Sequence, residues 1–164
     1  MEHTAFGVYG IMIKDQKLLV IKKNGGPYQY RYDLPGGSLE MGELLEEALC
    51  REVLEETGSK VAQWHQLGVV NFLYPWTYQE TTENNHICVF YKIDQLIGDI
   101  CETTIDFEGQ DSIGALYVPL ADLNEKNASL PVLKALAYSK KGIFSAESCR
   151  LKDWEVLSES SFDK

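Results

Sequence analysis

The chain has 164 residues, 45% of them apolar, with four cysteines and a formal net charge of −10. That length and composition predict one soluble domain with a real core, and no apolar run approaches the ~20 residues of a membrane-spanning helix. So acidic a surface disfavours long nucleic acids and anionic membranes, but not a small phosphorylated substrate whose charge bound cations offset locally.

Met1-Glu2-His3-Thr4 lacks the basic and apolar regions of a secretory leader. Cys50, Cys88, Cys101 and Cys149 form no C-x-x-C pair and no zinc spacing. They read as reduced thiols acting as small apolar fillers, in a cytoplasmic protein. Residues 4–14 show a strand pattern of aromatic and β-branched residues. Asp15-Gln16 makes a turn, and Lys17 to Lys23 reads as the return strand, ended by Asn24-Gly25-Gly26-Pro27. The loop from Tyr28 to Asp33 is rich in aromatic residues. Tyr28 and Tyr30 are candidates to stack on a base. Lys22, Lys23 and Arg31 lie where they could touch phosphates, with solubility as the plainer role.

Leu34-Pro35-Gly36-Gly37 then leads into a helix with too many carboxylates. Glu43 and Glu46 fall at its start, where negative charge suits the positive end of the macrodipole. Gly58 stops it as a left-handed cap. Glu52, Glu55 and Glu56 stand at i, i+3 and i+4 and share one face with Leu45, Ala48, Leu49 and Val53. Glu46 and Glu47 project away from that face. Carboxylates turned toward a core must be paired or must bind a metal. Arg51 cannot neutralise three, whereas a hard divalent cation such as Mg²⁺ can.

After the helix, Val61 to Leu73 is extended and Tyr74-Pro75-Trp76 breaks it. Residues 80–85 read as a polar hairpin tip, and His86 to Ile93 as the next strand, with His86 at its mouth as a surface or satisfied residue. Residues 97–111 form an acidic loop, of a length that is often functional. Ile113 to Val118 is a short strand ended by Pro119, Leu120 to Leu123 a turn of helix, and Pro131 to Lys140 a second helix. The tail from Gly142, carrying Phe144, Leu151, Trp154 and Val156, is expected to pack back on the domain. With no repeat or linker in view, residues 1–164 read as one α/β domain.

The central stretch resembles the Nudix box, G-x5-E-x7-R-E-U-x-E-E-x-G-U, where U is a bulky apolar residue. Gly37, Glu43, Arg51, Glu52, Glu55, Glu56 and Gly58 match in register, and Val53 fits the first U. Seven fixed positions match by chance at about 10⁻⁹ per start. The last U is Ser59, a departure that bears on packing rather than on the acids. The resemblance covers residues 37–59.

It implies an α/β/α sandwich with a mixed sheet and a loop-helix-loop motif. It also implies hydrolysis of a phosphoric anhydride in a nucleoside diphosphate linked to another group, with Mg²⁺ as cofactor and Mn²⁺ as substitute. Nucleoside triphosphates and nucleotide sugars such as ADP-ribose are the two substrate classes. The expected metal ligands are Glu52, Glu55 and Glu56, joined in the family by the Gly37 carbonyl. Glu55, Arg51 and Glu43 are the expected catalytic residues, Glu43 being either a ligand or the partner that orients Arg51. Gly36 and Gly37 would let the backbone approach the phosphate, with Lys23 and Arg31 beside it. Tyr32 matches a family aromatic two residues before Leu34-Pro35. Family members often recruit a base from the loop before a late strand. Asp111, six residues before Tyr117, is preferred over Glu108, and a solvated turn residue is the alternative. The expected partner is a small nucleotide, with a homodimer allowed for. A non-catalytic nucleotide sensor is the competing function; the intact acids and the lack of a DNA-binding segment argue against it.

Overall fold

The computed structural model describes residues 1–101 and 112–162. Glu108 and Asp111 lie outside the described residues. In chain order the elements are β1 (Glu2–Ile11), β2 (Ile13–Lys14), β3 (Lys17–Lys23), β4 (Tyr32–Asp33), β5 (Gly36–Ser38), α1 (Leu45–Thr57), β6 (Lys60–Tyr78), β7 (Thr81–Ile97), β8 (Ser112–Pro119), a 3₁₀ turn (Leu120–Asp122), α2 (Leu130–Lys141) and β9 (Cys149–Arg150).

The strands form two sheets. The first has the order β5-β1-β7-β6-β9, with β1 parallel to β7 and antiparallel to β5, so it is mixed. The second joins β2, β3 and β4, with β8 on β3. The expected strand over 4–14 therefore ends at Ile11. Asp15 and Gln16, both at positive φ, turn β2 into β3.

Side-chain alternation divides the first sheet between two cores. Val8, Val89, Tyr91 and Ile93 pack with Ala48, Leu49 and Val53 of α1. Tyr9, Cys88, Phe90, Val70 and Phe72 share the other core with Val132, Ala135 and Leu136 of α2. One helix on each face gives the α/β/α sandwich. α1 ends at Gly58, φ 78°, whose N–H donates to the Leu54 carbonyl 2.9 Å away. α2 is capped by the Ser129 hydroxyl, which accepts from Val132 N, and it ends with Lys140 and Lys141 against the negative pole.

Several expectations are corrected. β6 runs through Tyr74-Pro75-Trp76, because β9 pairs β6 only at Phe72 and Leu73. The edge beyond those residues asks for no N–H that proline lacks. The β6–β7 turn is at Gln79 and Glu80, and Asn84 and Asn85 lie inside β7. Cys88 is buried as a filler, but Cys101 and Cys149 are exposed, and none of the four forms a disulfide. Among the described residues of the tail, Trp154 and Ser161 bond back to Pro27 and Tyr30, and Cys149–Arg150 is strand. Among the described residues no helix is long and apolar enough to cross a membrane.

Candidate active site

The site is built where β5 meets β1 and faces α1. Gly36 pairs with Tyr9 and Gly37 with Val8. Gly36 has φ 150°, and a Cβ there would strike the Val8 carbonyl and come within 2.7 Å of Tyr9 Cα. Its N–H donates to Glu56 Oε1 at 2.8 Å. A Cβ on Gly37 would lie 2.7 Å from Glu52 Oε1, so this glycine leaves the space the carboxylate fills.

Arg51 is the hub of the acids. Its Nε and Nη2 donate to Glu43 Oε2 and Oε1 at 2.6 and 2.9 Å, a forked pair. Nη1 donates to Glu52 Oε1 at 2.9 Å and to Glu55 Oε2 at 3.3 Å, and Nη2 also reaches the Ser38 carbonyl. The Arg51 bond, with help from the Glu40 N–H, holds the Glu43 carboxyl down to about 2. In return its bonds to Glu43 push the Arg51 guanidinium up.

Glu52 and Glu56 go the other way. Burial raises the Glu52 carboxyl despite its bond to Arg51. Burial raises Glu56 well above 4.5, against the opposing Gly36 N–H and the Lys23 charge. Lys23 thus senses both acids from the end of β3. Burial thus disfavours the charged form of both carboxylates, and a divalent cation would offset that cost.

Among the described residues, no three acids, histidines or cysteines converge at metal distance. Glu52 and Glu55 turn onto Arg51, while Glu56 turns onto Gly36. The donor set nevertheless fits a hard cation: three carboxylates at i, i+3 and i+4 of one helix, two of them raised by burial, beside a bare glycine backbone.

Three expectations at the margins change, and His86 takes the satisfied of its two readings. Arg31 is 3% exposed. Its Nη1 and Nη2 donate to the carbonyls of Glu125 and Glu155, and the guanidinium stacks 4.4 Å over Trp154. Packing, not phosphate, claims it. Lys22 lies 5.6 Å over the Phe162 ring. Tyr28 is buried, so it offers no face to a base. His86 is buried too, between Tyr9 OH on Nε2 and Tyr28 OH on Nδ1, each 2.8 Å away. Burial, then the Lys23 charge, lowers its imidazole to about 4, so it is neutral at pH 7.

Sequence reasoning missed the polar layer behind the acids: Tyr9, His86 and Asp33. Asp33 is buried, and its Oδ1 accepts from Leu34 N and from Ser129 Oγ at 2.6 Å. The β1–β5 register opposite Gly36 would have pointed to Tyr9, but that register is a tertiary fact. Ser59, the departure from the motif, is buried, and its Oγ donates to the Gly98 carbonyl at 3.1 Å. A hydrogen bond replaces the usual apolar contact.

The family model described as the NUDIX domain matches residues 1–137. An ADP-ribose pyrophosphatase of Methanocaldococcus jannaschii is 50% identical over 56 residues, which is 34% of this chain and 33% of that protein. The chain therefore spans only a third of that relative's length. Nucleoside triphosphatase NudI of Salmonella schwarzengrund is 37% identical over 123 residues, covering 69% of this chain and 82% of that protein. The crystal structure of a MutT NUDIX hydrolase from Burkholderia pseudomallei superposes with a TM-score of 0.65 at 22% identity, over 82% of this chain and 97% of that one. At that identity the likeness concerns the fold.

Proposed function

We propose that this chain, which belongs to the NUDIX domain family, is a metal-dependent hydrolase. Its substrate would be a nucleoside diphosphate linked to another group, cut at a phosphoric anhydride. One observation carries the reading: an α1 face on which a single arginine holds Glu43, Glu52 and Glu55 while Glu56 is buried against the Gly36 amide.

Glu52, Glu55, Glu56 and the Gly37 carbonyl would hold Mg²⁺, with Mn²⁺ substituting. When bound, such an ion would supply charge to neutralise phosphate oxygens and acidify a water. The chain's own parts do the rest. The Glu43–Arg51 fork keeps Glu52 and Glu55 from swinging free. Gly36 and Gly37 present bare backbone to a phosphate, and Lys23 faces it from the end of β3. Asp111 is assigned as general base, with Glu108 as its replacement if Asp111→Asn keeps full kcat. The whole chain acts as one domain, in the cytoplasm.

Two relatives' names divide the substrate class: an ADP-ribose pyrophosphatase and a nucleoside triphosphatase. A panel of ADP-ribose and nucleoside triphosphates, assayed with Mg²⁺, chooses between them. Excess chelator should abolish turnover and Mg²⁺ restore it. Full turnover in chelator refutes the metal reading, and no turnover on any substrate favours a sensor.

A further inference from the structure

The family match ends at residue 137, yet the segment beyond it grips one loop of the domain. Trp154 Nε1 donates to the Pro27 carbonyl at 2.8 Å, and its ring meets Tyr28 edge-on at 5.7 Å. Gln29 Nε2 donates to the Leu157 carbonyl at 2.7 Å. Ser161 donates twice to the Tyr30 carbonyl, from its N–H at 3.1 Å and from its Oγ at 2.5 Å.

Tyr30 is the point of tension. Its φ is 65°, a left-handed conformation that a bulky non-glycine residue rarely adopts. Three hydrogen bonds hold it there: the pair from Ser161 to its carbonyl, and its own N–H donating to the Lys23 carbonyl at 2.8 Å. The Lys23 N–H donates in turn to the Arg31 carbonyl at 3.1 Å. One end of the loop is thus Lys23 at the end of β3, whose charge works against burial to lower the Glu52 and Glu56 carboxyls. The other end runs through Asp33 to Gly36, whose N–H is on Glu56.

We propose that residues 149–162 form a strap that seats the loop between β3 and β4, and so sets the affinity of the site for the phosphates of its substrate. Ser161 and Trp154 are positioning residues. Ser161 acts through Tyr30, and Trp154 through Pro27 and Tyr28, on Lys23 and Gly36, and neither touches substrate itself. The inference rests on the nucleotide hydrolase reading for the identity of the ligand. A contact made equally in ground and transition states changes KM and leaves kcat alone.

The test compares Ser161→Pro, which removes both donors, with Ser161→Thr, which keeps them, and with Trp154→Ala. Amide exchange at Lys23 and Tyr30 reads the seating of the loop. The Kd for ADP in Mg²⁺, by calorimetry, reads the phosphate site without turnover. In Ser161→Pro both amides should exchange about tenfold faster or more, and KM and Kd should rise about tenfold with kcat within about twofold. Ser161→Thr should restore all three. Wild-type exchange at both amides in Ser161→Pro and Trp154→Ala overturns the strap. So does faster exchange with Kd unchanged. Failure of the hydrolase reading would show separately, as absent turnover in the unaltered protein.

Discussion

The two adjacent glycines of the site should fail in opposite ways when each is replaced by alanine. At Gly37 the new Cβ would stand 2.7 Å from Glu52 Oε1, where ordinary contact begins near 3.4 Å. The obstacle is the end of a flexible side chain, so Glu52 retreats by roughly 0.7 Å and its 2.9 Å bond from Arg51 is lost. Both partners are partly exposed, so the loss costs about 1 kcal/mol after solvent screening. Removing a glycine where φ is not left-handed returns about 0.4–1 kcal/mol through the unfolded chain. Gly37→Ala should therefore melt within about 4 °C of wild type. Its kcat should fall about 10²–10³-fold, the scale of losing one charge-positioning group. At Gly36 the obstacles are backbone, the Val8 carbonyl and Tyr9 Cα, and φ is 150°. Gly36→Ala must part β1 from β5, costing about 3 kcal/mol or more. The assays are a thermal melt, a calorimetric Mg²⁺ titration and steady-state rates. Wild-type kcat and Mg²⁺ affinity in a folded Gly37→Ala would refute the role of Glu52. A wild-type melt in Gly36→Ala would refute the close-approach argument.

Three further outcomes follow from the same geometry. Because burial raises Glu56 above 4.5, the stability tied to its protonated form is complete below 4.5 and is lost as pH climbs through its raised folded value. Urea unfolding in chelator should show Glu56→Gln flattening that alkaline loss, while the variant loses Mg²⁺-dependent turnover. Glu43 has the opposite sign: held at about 2, its contribution is present above 4.5 and disappears as pH falls through about 2. Glu43→Gln should lower stability at neutral pH and remove that acid limb, read by unfolding midpoints at successive pH values. Asp33→Ala removes the acceptor for Leu34 N and for the Ser129 hydroxyl that caps α2. It should cost about 3 kcal/mol, seen as a lower denaturant midpoint at unchanged slope.

The box helix was legible in the sequence because everything that defines it is local. Its glycine stop, its three acids at i, i+3 and i+4, and the apolar residues on the same face follow from 3.6 residues per turn. The second helix with its proline start and the tight turn at Asp15-Gln16 were legible for the same local reason. The motif that gave the family is a property of spacing alone, and the NUDIX match bears it out. Other features depended on which strands became neighbours. His86 read as a surface or satisfied residue until β7 was laid parallel to β1, which buries it hydrogen-bonded between Tyr9 and Tyr28. Pro75 read as a strand breaker until the free edge of β6 made its missing N–H harmless. Arg31 read as a phosphate contact until the tail, more than 120 residues away at Glu155, supplied the carbonyl it binds. Helical periodicity is decided by residues within one or two turns of each other. Burial and hydrogen-bond partners are decided by segments that only the folded chain brings together.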